Sequence, residues 1–154
     1  MTAPILIVGL GNPLMGDEGA GWHLVQRLQS DSRRPAQAEV TFGGTDLLAL
    51  AGRLEGRRAV ILTDAALDPN HPGRLTIHDN DFSALSTDQG HAHHLSLVQS
   101  IELLRTLNPT LASTRFVLLT IGVAAAQFAG ELSPEVHAAL PRAVGEILRL
   151  AETL

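Results

Sequence analysis

Hydrophobic and polar positions change period several times along this chain. Ile5 to Val8 is a short continuous apolar run rich in β-branched side chains and closed by Gly9, which reads as a buried strand. From about Glu18 the pattern turns helical, with Trp22, Val25, Leu28 and Gln29 sharing one face. Ser30 to Gln37 is a turn region. Glu39 to Phe42 reads as a second strand closed by Gly43-Gly44, and Thr45 is placed to cap a short helix over Asp46 to Ala51. Ala59 to Leu62 is a third buried strand that ends at Thr63-Asp64. Asp68-Pro69-Asn70 and His71-Pro72-Gly73 are turn signals, and the alternation from Arg74 to His78 reads as an edge strand. Leu97, Ile101 and Leu104 recur at helical spacing, with Val98 and Arg105 beside them. They predict a helix from about His94 to Leu107, stopped by Asn108-Pro109. Phe116 to Ile121 is another buried run. Ser133-Pro134-Glu135 is a helix start: an N-cap hydroxyl, proline at the first helical position and an acid in the first turn. Val136, Leu140, Val144, Ile147 and Leu148 then mark a closing amphipathic helix, with Pro141 inside it as a kink position.

Strands alternating with helices predict an α/β fold of three layers, α-β-α, around a twisted, mostly parallel but mixed sheet of about five strands. No internal repeat or second domain is visible, so residues 1–154 read as one domain. In such folds the working site lies at the carboxyl ends of the strands, near a point where the strand order reverses. That rule selects residues 9–18, 43–46, 63–71 and the stretch after Ile121.

Composition narrows the function. With a net charge of −5, four Phe, one Trp and no Tyr, the chain has neither the positive field nor the stacking surface that nucleic acid requires. The absence of cysteine removes disulfides, thiolate nucleophiles and Cys-rich zinc sites, so any metal must be held by His, Asp, Glu or backbone oxygen. No segment approaches the roughly 20 apolar residues of a membrane span. MTAPILIVGLG has no positive n-region, so it does not read as a signal peptide, and the cytoplasm is the expected compartment.

The turn after the first strand resembles a nucleotide-binding loop but carries the wrong charge. Gly9 and Gly11 begin a G-x-G-x-x-G pattern, but Leu14 stands where the third glycine belongs. A Walker lysine is also missing. Asp17 and Glu18 occupy the expected helix start, where either capping or cation binding suits them. They would repel a pyrophosphate: a like-charge pair about 4 Å apart costs roughly 4 kcal/mol at an effective dielectric near 20. Asp64, at the end of the third apolar run, brings a further carboxylate to the same sheet edge. His91-Ala92-His93-His94 adds imidazoles just before the helix of Leu97. Carboxylates with imidazole and no thiolate suit a borderline ion such as Ni²⁺ or Zn²⁺, and three protein ligands leave positions open for water or substrate. There is no His-Glu-x-x-His and no Gly-x-Ser-x-Gly, which argues against an ordinary zinc peptidase or a serine hydrolase.

Together these residues carry a resemblance. Gly9-Leu10-Gly11-Asn12-Pro13-Leu14-Met15-Gly16-Asp17-Glu18-Gly19-Ala20-Gly21 resembles the opening of the hydrogenase maturation proteases. Gly43-Gly44-Thr45, Thr63-Asp64-Ala65, His93-His94-Leu95-Ser96-Leu97 and Gly130-Glu131-Leu132-Ser133-Pro134-Glu135-Val136 resemble the family's later segments, in order. The resemblance implies an endopeptidase that removes the C-terminal extension of a nickel–iron hydrogenase large-subunit precursor once nickel is inserted; the sequence leaves the oligomeric state open, a monomer being one reading. Nickel, supplied within that precursor, would be the recognition element. The family's metal-binding residues fall on Glu18, Asp64 and His93; His93 is preferred to His91 and His94 because it keeps the spacing to Leu95 and Leu97. Gly43, Gly44 and Thr45 are expected either to let the backbone approach the substrate tail or merely to form a turn. Attack on the peptide bond is expected either from metal-polarised water or with Asp17 or Asp64 as general base, Asp17 being alternatively only a helix cap. One departure touches partner identity: many members carry Gly-x-x-Pro where this chain has Gly122-Val123-Ala124-Ala125-Ala126-Gln127. A non-catalytic α/β module that binds metal or nucleotide is the alternative.

Overall fold

The computed structural model describes residues 2–83, 92–124 and 130–154, and gives the backbone alone for 92–96. Among the described residues the sheet has five strands: β1 (Ile5–Leu10), β2 (Ala38–Gly44), β3 (Ala59–Leu67), β4 (Leu75–Asp79) and β5 (Arg115–Val123). They are ordered β2-β1-β3-β5-β4. Only β4 runs antiparallel, on β5 at the sheet's edge. The principal helices are α1 (Ala20–Gln29), the short α2 (Ala51–Leu54), α3 (Ala92–Leu107) and α4 (Pro134–Thr153). The expected three-layer α/β architecture with a mixed, mostly parallel sheet is therefore the one formed.

Strand alternation sorts the core into two layers. Ile5, Ile7, Ile61, Val117 and Leu119 face α1 and α4, where Leu24, Leu28, Val136, Leu140 and Ile147 meet them. Leu6, Val8, Val60, Leu62, Phe116 and Leu118 face the other way, onto Leu54, Leu97, Ile101 and Leu104 of α2 and α3. Among the described residues no helix is long and apolar enough to cross a membrane.

Several boundaries differ from the sequence reading. β3 does not stop at Thr63-Asp64 but continues to Leu67, because β5 pairs with it residue for residue as far as Leu67 opposite Val123. β2 likewise incorporates Gly43 and Gly44. Helix α1 begins at Ala20 after a 3-10 turn over Gly16–Gly19, and its buried face is Ala20, Gly21, Leu24, Val25 and Leu28. Trp22 is consequently half-buried, edge-on to His23 with ring centroids 5.1 Å apart, and Gln29 is exposed. Thr45 caps nothing: the turn into the 3-10 segment Leu48–Leu50 is closed by Asp46, whose Oδ1 accepts the Leu48 N–H at 3.0 Å. Ser133 caps α4 as expected, its Oγ accepting the Val136 N–H at 3.4 Å, and the helix runs through Pro141 without interruption.

Candidate functional site

Chain topology puts a fork at one end of the sheet. From β1 the connection to β2 goes to one side and β3 lies on the other, so the carboxyl end of β1 is the switch point. The last β1–β3 rung joins Gly9 to Thr63. Beyond it β3 continues with β5 alone, and the next residue is Asp64. A carboxylate thus stands just past the point where β1 departs. It is 3% exposed, and its Oδ1 accepts the Ala65 N–H at 2.8 Å.

The glycines of the opening motif shape this fork by steric approach. A Cβ at Gly9 would lie 2.3 Å from the Gly21 carbonyl oxygen, and one at Gly21 would lie 2.1 Å from that of Leu10. Strand and helix therefore touch backbone to backbone, which is the close packing a dinucleotide fold obtains from its third glycine. Gly11 has φ +125°, and a Cβ there would meet the Glu18 carbonyl oxygen at 2.0 Å and Asp64 Oδ1 at 3.7 Å. The same backbone atoms therefore bring the Glu18 segment and the Asp64 carboxylate to one place. Gly11 also donates its N–H to the Gly44 carbonyl at 2.8 Å, which ties the loop to the end of β2.

Asp64, Leu10, Gly11, Thr45, Leu47, Leu97 and Ser100 line a cavity of about 40 Å³. That volume suits an ion or a water, not a nucleotide. Thr45 of the Gly43-Gly44-Thr45 segment reaches it, while Gly44, at φ +65°, has open space where a side chain would sit. His93 belongs to the first turn of α3, one helical turn before Leu97 and two before Ser100; its side chain, like that of His94, lies outside the described residues. His91 and the stretch 125–129, which includes half of the departing Gly122–Gln127 segment, also lie outside them. Among the described residues no three His, Asp or Glu side chains converge as a metal cluster, so the structure joins Asp64 to the Glu18 segment and leaves the third expected ligand unplaced.

Asp17 stands elsewhere than expected. It sits inside the 3-10 turn and caps neither that turn nor α1. At 1% exposure its Oδ1 instead accepts the Ser133 N–H at 2.6 Å, across 116 residues of sequence. A local helix cap is the wrong reading, because the carboxylate turns inward to a distant helix.

Sequence reasoning missed two buried threonines. Thr120 is the β5 partner of Asp64 and lies on the same sheet face, 4% exposed. Thr63 is fully buried on the opposite face, and its Oγ1 has no hydrogen-bond partner among the described residues. A polar position at strand periodicity inside an apolar run was the available signal for both.

Comparison with known proteins reports on the whole arrangement. The family model for hydrogenase maturation proteases matches residues 22–150. The hydrogenase 2 maturation protease of Escherichia coli is 34% identical over 103 residues, 66% of this chain and 63% of that protein, so the match spans less than two thirds of that relative. The hydrogenase expression/formation protein HupD of Rhodobacter capsulatus is 30% identical over 146 residues, 94% of this chain and 70% of its own length. The solved structure of the hydrogenase maturating endopeptidase HybD from E. coli superposes with a TM-score of 0.83 at 27% identity, covering 97% of this chain and 92% of that one.

Proposed function

The chain belongs to the hydrogenase maturation protease family, and on that premise we propose that it is an endopeptidase acting on the large-subunit precursor of a nickel–iron hydrogenase. It removes the precursor's C-terminal extension after nickel insertion, and the nickel, part of the substrate, is what it recognises. The observation that carries this reading is the placement of Asp64: a buried carboxylate at the switch point, against Gly11 and the backbone of Glu18, on a cavity of ionic size.

Glu18, Asp64 and His93 would hold the nickel, an oxygen-and-imidazole donor set that suits a borderline divalent ion. Bound there, the ion supplies Lewis acidity to the scissile carbonyl or to a water. Of the two carboxylates expected as general base, Asp64 lines the cavity, whereas Asp17 is committed to Ser133. The base is therefore assigned to Asp64: water adds to the scissile carbonyl carbon, its proton passes to the carboxylate, and the departing amine takes that proton as the C–N bond breaks. Thr45, with the unencumbered backbone of Gly44, offers the approach for the substrate tail. A pyrophosphate is disfavoured here both by volume and by charge.

The test uses purified large-subunit precursor, nickel-loaded and nickel-free, followed by intact mass. Loaded precursor should be shortened and nickel-free precursor left whole, with processing lost in Glu18→Gln, Asp64→Asn and His93→Ala. Equal cleavage of both forms, or of casein, refutes nickel recognition. Tight binding of loaded precursor that is never shortened supports the non-catalytic module instead.

A further inference from the structure

Asp17 is conspicuous because it is a buried carboxylate adjacent in sequence to Glu18 but committed to a partner far along the chain. We propose that Asp17 is a positioning residue: by accepting the Ser133 N–H, it locks the 3-10 turn carrying Glu18 onto the N-terminus of α4 and so sets the direction of Glu18. The inference rests on the reading above, in which Glu18 holds the precursor's nickel.

The geometry of α4 explains why the contact is strong. Ser133 is the N-cap, so Val136 is the third helical residue. In a capping box a Glu or Gln at that third position would reach back to the N-cap N–H. Valine cannot, and the Asp17 carboxylate takes that role from another element, at 2.6 Å. It meets the positive end of a 20-residue helix, which offsets the cost of burying the charge. That helix is the rigid partner: Val136, Ala139, Leu140, Ala143 and Ile147 are each 0–1% exposed against the sheet.

The loop is tied to β2 at Gly11, but from Asn12 to Glu18 its own bonds are short-range turns. Met15 and Glu18 donate their N–H groups to Asn12 and Met15 carbonyls at 3.1 and 3.2 Å, and Leu14 donates to Asn12 Oδ1 at 3.0 Å. Such bonds preserve the loop's local shape but do not fix its orientation on the body of the protein. In a 3-10 turn successive side chains are about 120° apart. Holding Asp17 inward therefore fixes the rotation of the turn, and with it the face on which half-buried Glu18 emerges.

Four variants separate this from other roles. Asp17→Ala deletes the acceptor, and Asp17→Asn keeps an acceptor oxygen without the charge. Ser133→Pro deletes the donor N–H at a residue whose φ of −61° and ψ of 156° already suit proline, including one preceding Pro134. Ser133→Ala removes the capping hydroxyl and keeps the N–H. Amide hydrogen exchange of residues 11–19 is measured by mass spectrometry, alongside processing of nickel-loaded precursor and thermal unfolding. Asp17→Ala and Ser133→Pro should each speed exchange in the loop at least about tenfold and slow processing about 10–100-fold, the range for losing a group that orients a ligand. Asp17→Asn and Ser133→Ala should stay within about threefold of wild type in both readouts, a difference of about 0.6 kcal/mol. Wild-type loop exchange in Ser133→Pro overturns the proposal, as does an Asp17→Asn variant as impaired in processing as Asp17→Ala. If Asp17→Ala does not fold, the Ser133 pair and Asp17→Asn still decide. Glu18→Gln keeps the two readings apart: wild-type processing by it refutes Glu18 as a nickel ligand, whereas loop exchange judges the tether independently.

Discussion

Two glycine-to-alanine substitutions in helices should move stability in opposite directions. Alanine is about 1 kcal/mol better than glycine inside a helix, so propensity alone stabilises both. At Gly145 in α4 nothing lies within 4 Å of the added methyl, and the gain should appear whole. For a chain of this length it corresponds to a Tm higher by roughly 2–4 °C. At Gly21 the methyl would lie 2.1 Å from the Leu10 carbonyl oxygen, 2.8 Å from Leu10 N and 3.0 Å from the Thr63 carbonyl oxygen. All three are backbone atoms of central strands and cannot swing aside. Helix α1 must withdraw by roughly 1 Å, which forfeits a quarter or more of its contact energy with the sheet. Leu24, Val25 and Leu28 are each fully buried there, and burial of each contributes about 1.5–3 kcal/mol. A quarter of that sum, with about 1–3 kcal/mol of overpacking strain added and the propensity gain subtracted, leaves a net loss of about 1–4 kcal/mol. The Tm should fall by roughly 3–15 °C. Urea unfolding followed by circular dichroism gives both signs, and the single tryptophan, Trp22, next to the substituted residue, reports the displacement of α1 by fluorescence. A Gly21→Ala protein as stable as wild type would refute the backbone-to-backbone contact between α1 and β1.

Thr63→Val should stabilise the protein by about 1 kcal/mol, because it removes a buried hydroxyl that has no partner among the described residues, at nearly constant shape; a lower urea midpoint would show that the hydroxyl is satisfied. The pKa of His23 is held below its ordinary value of 6.5, first by burial and then by the positive charges of Arg27 and His137. Below about pH 6.5 the unfolded chain therefore binds more protons than the folded one, so stability falls as pH drops from there through the folded value. His23→Gln should flatten that part of the stability profile, and an unchanged slope would assign it elsewhere. Calorimetric titration with Ni²⁺ should show a site that weakens below about pH 6.5, since a ligating imidazole must be neutral, and that is lost in His93→Ala but kept in His91→Ala. An affinity flat from pH 7.5 to 5.5 would count against any histidine ligand.

What the sequence made legible was local. Ile5–Val8, Ala59–Leu62 and Phe116–Ile121 are strands because continuous β-branched and apolar runs admit little else, and Ser133-Pro134-Glu135 carries its cap in three adjacent residues. The carboxylate at the sheet edge was visible for the same reason. What escaped was decided by pairing. Thr63-Asp64 interrupts the apolar run before Ala65-Ala66-Leu67, and the strand continues because β5 supplies a parallel partner throughout. Helix α1 starts at Ala20, two residues after Glu18, and Leu24 rather than Trp22 completes its core face with Val25 and Leu28, because Gly21 on that face lies directly against β1. Asp17 looked like a helix cap because acids at helix starts usually are, and its actual partner lies 116 residues away. No periodicity encodes such a contact.

The fork accounts for how so small a site is held. Thr63 and Asp64 are consecutive, so strand alternation turns one toward α1 and α4 and the other toward the cavity beside α3. The loop from Gly9 to Gly21 spans this divide, and it is fixed from both sides. Gly11 binds the end of β2, Gly21 lies against β1 and β3, and Asp17 reaches α4. Two of those three anchors are made by backbone that tolerates no side chain. A motif that reads as a phosphate loop thus retains the glycines for their close approach and adds the acids Asp17 and Glu18 where a phosphate would lie. The same geometry that serves a pyrophosphate elsewhere here brings carboxylate oxygen to the switch point, and it is the charge of the loop, rather than its glycine spacing, on which the proposed cation ligand rests.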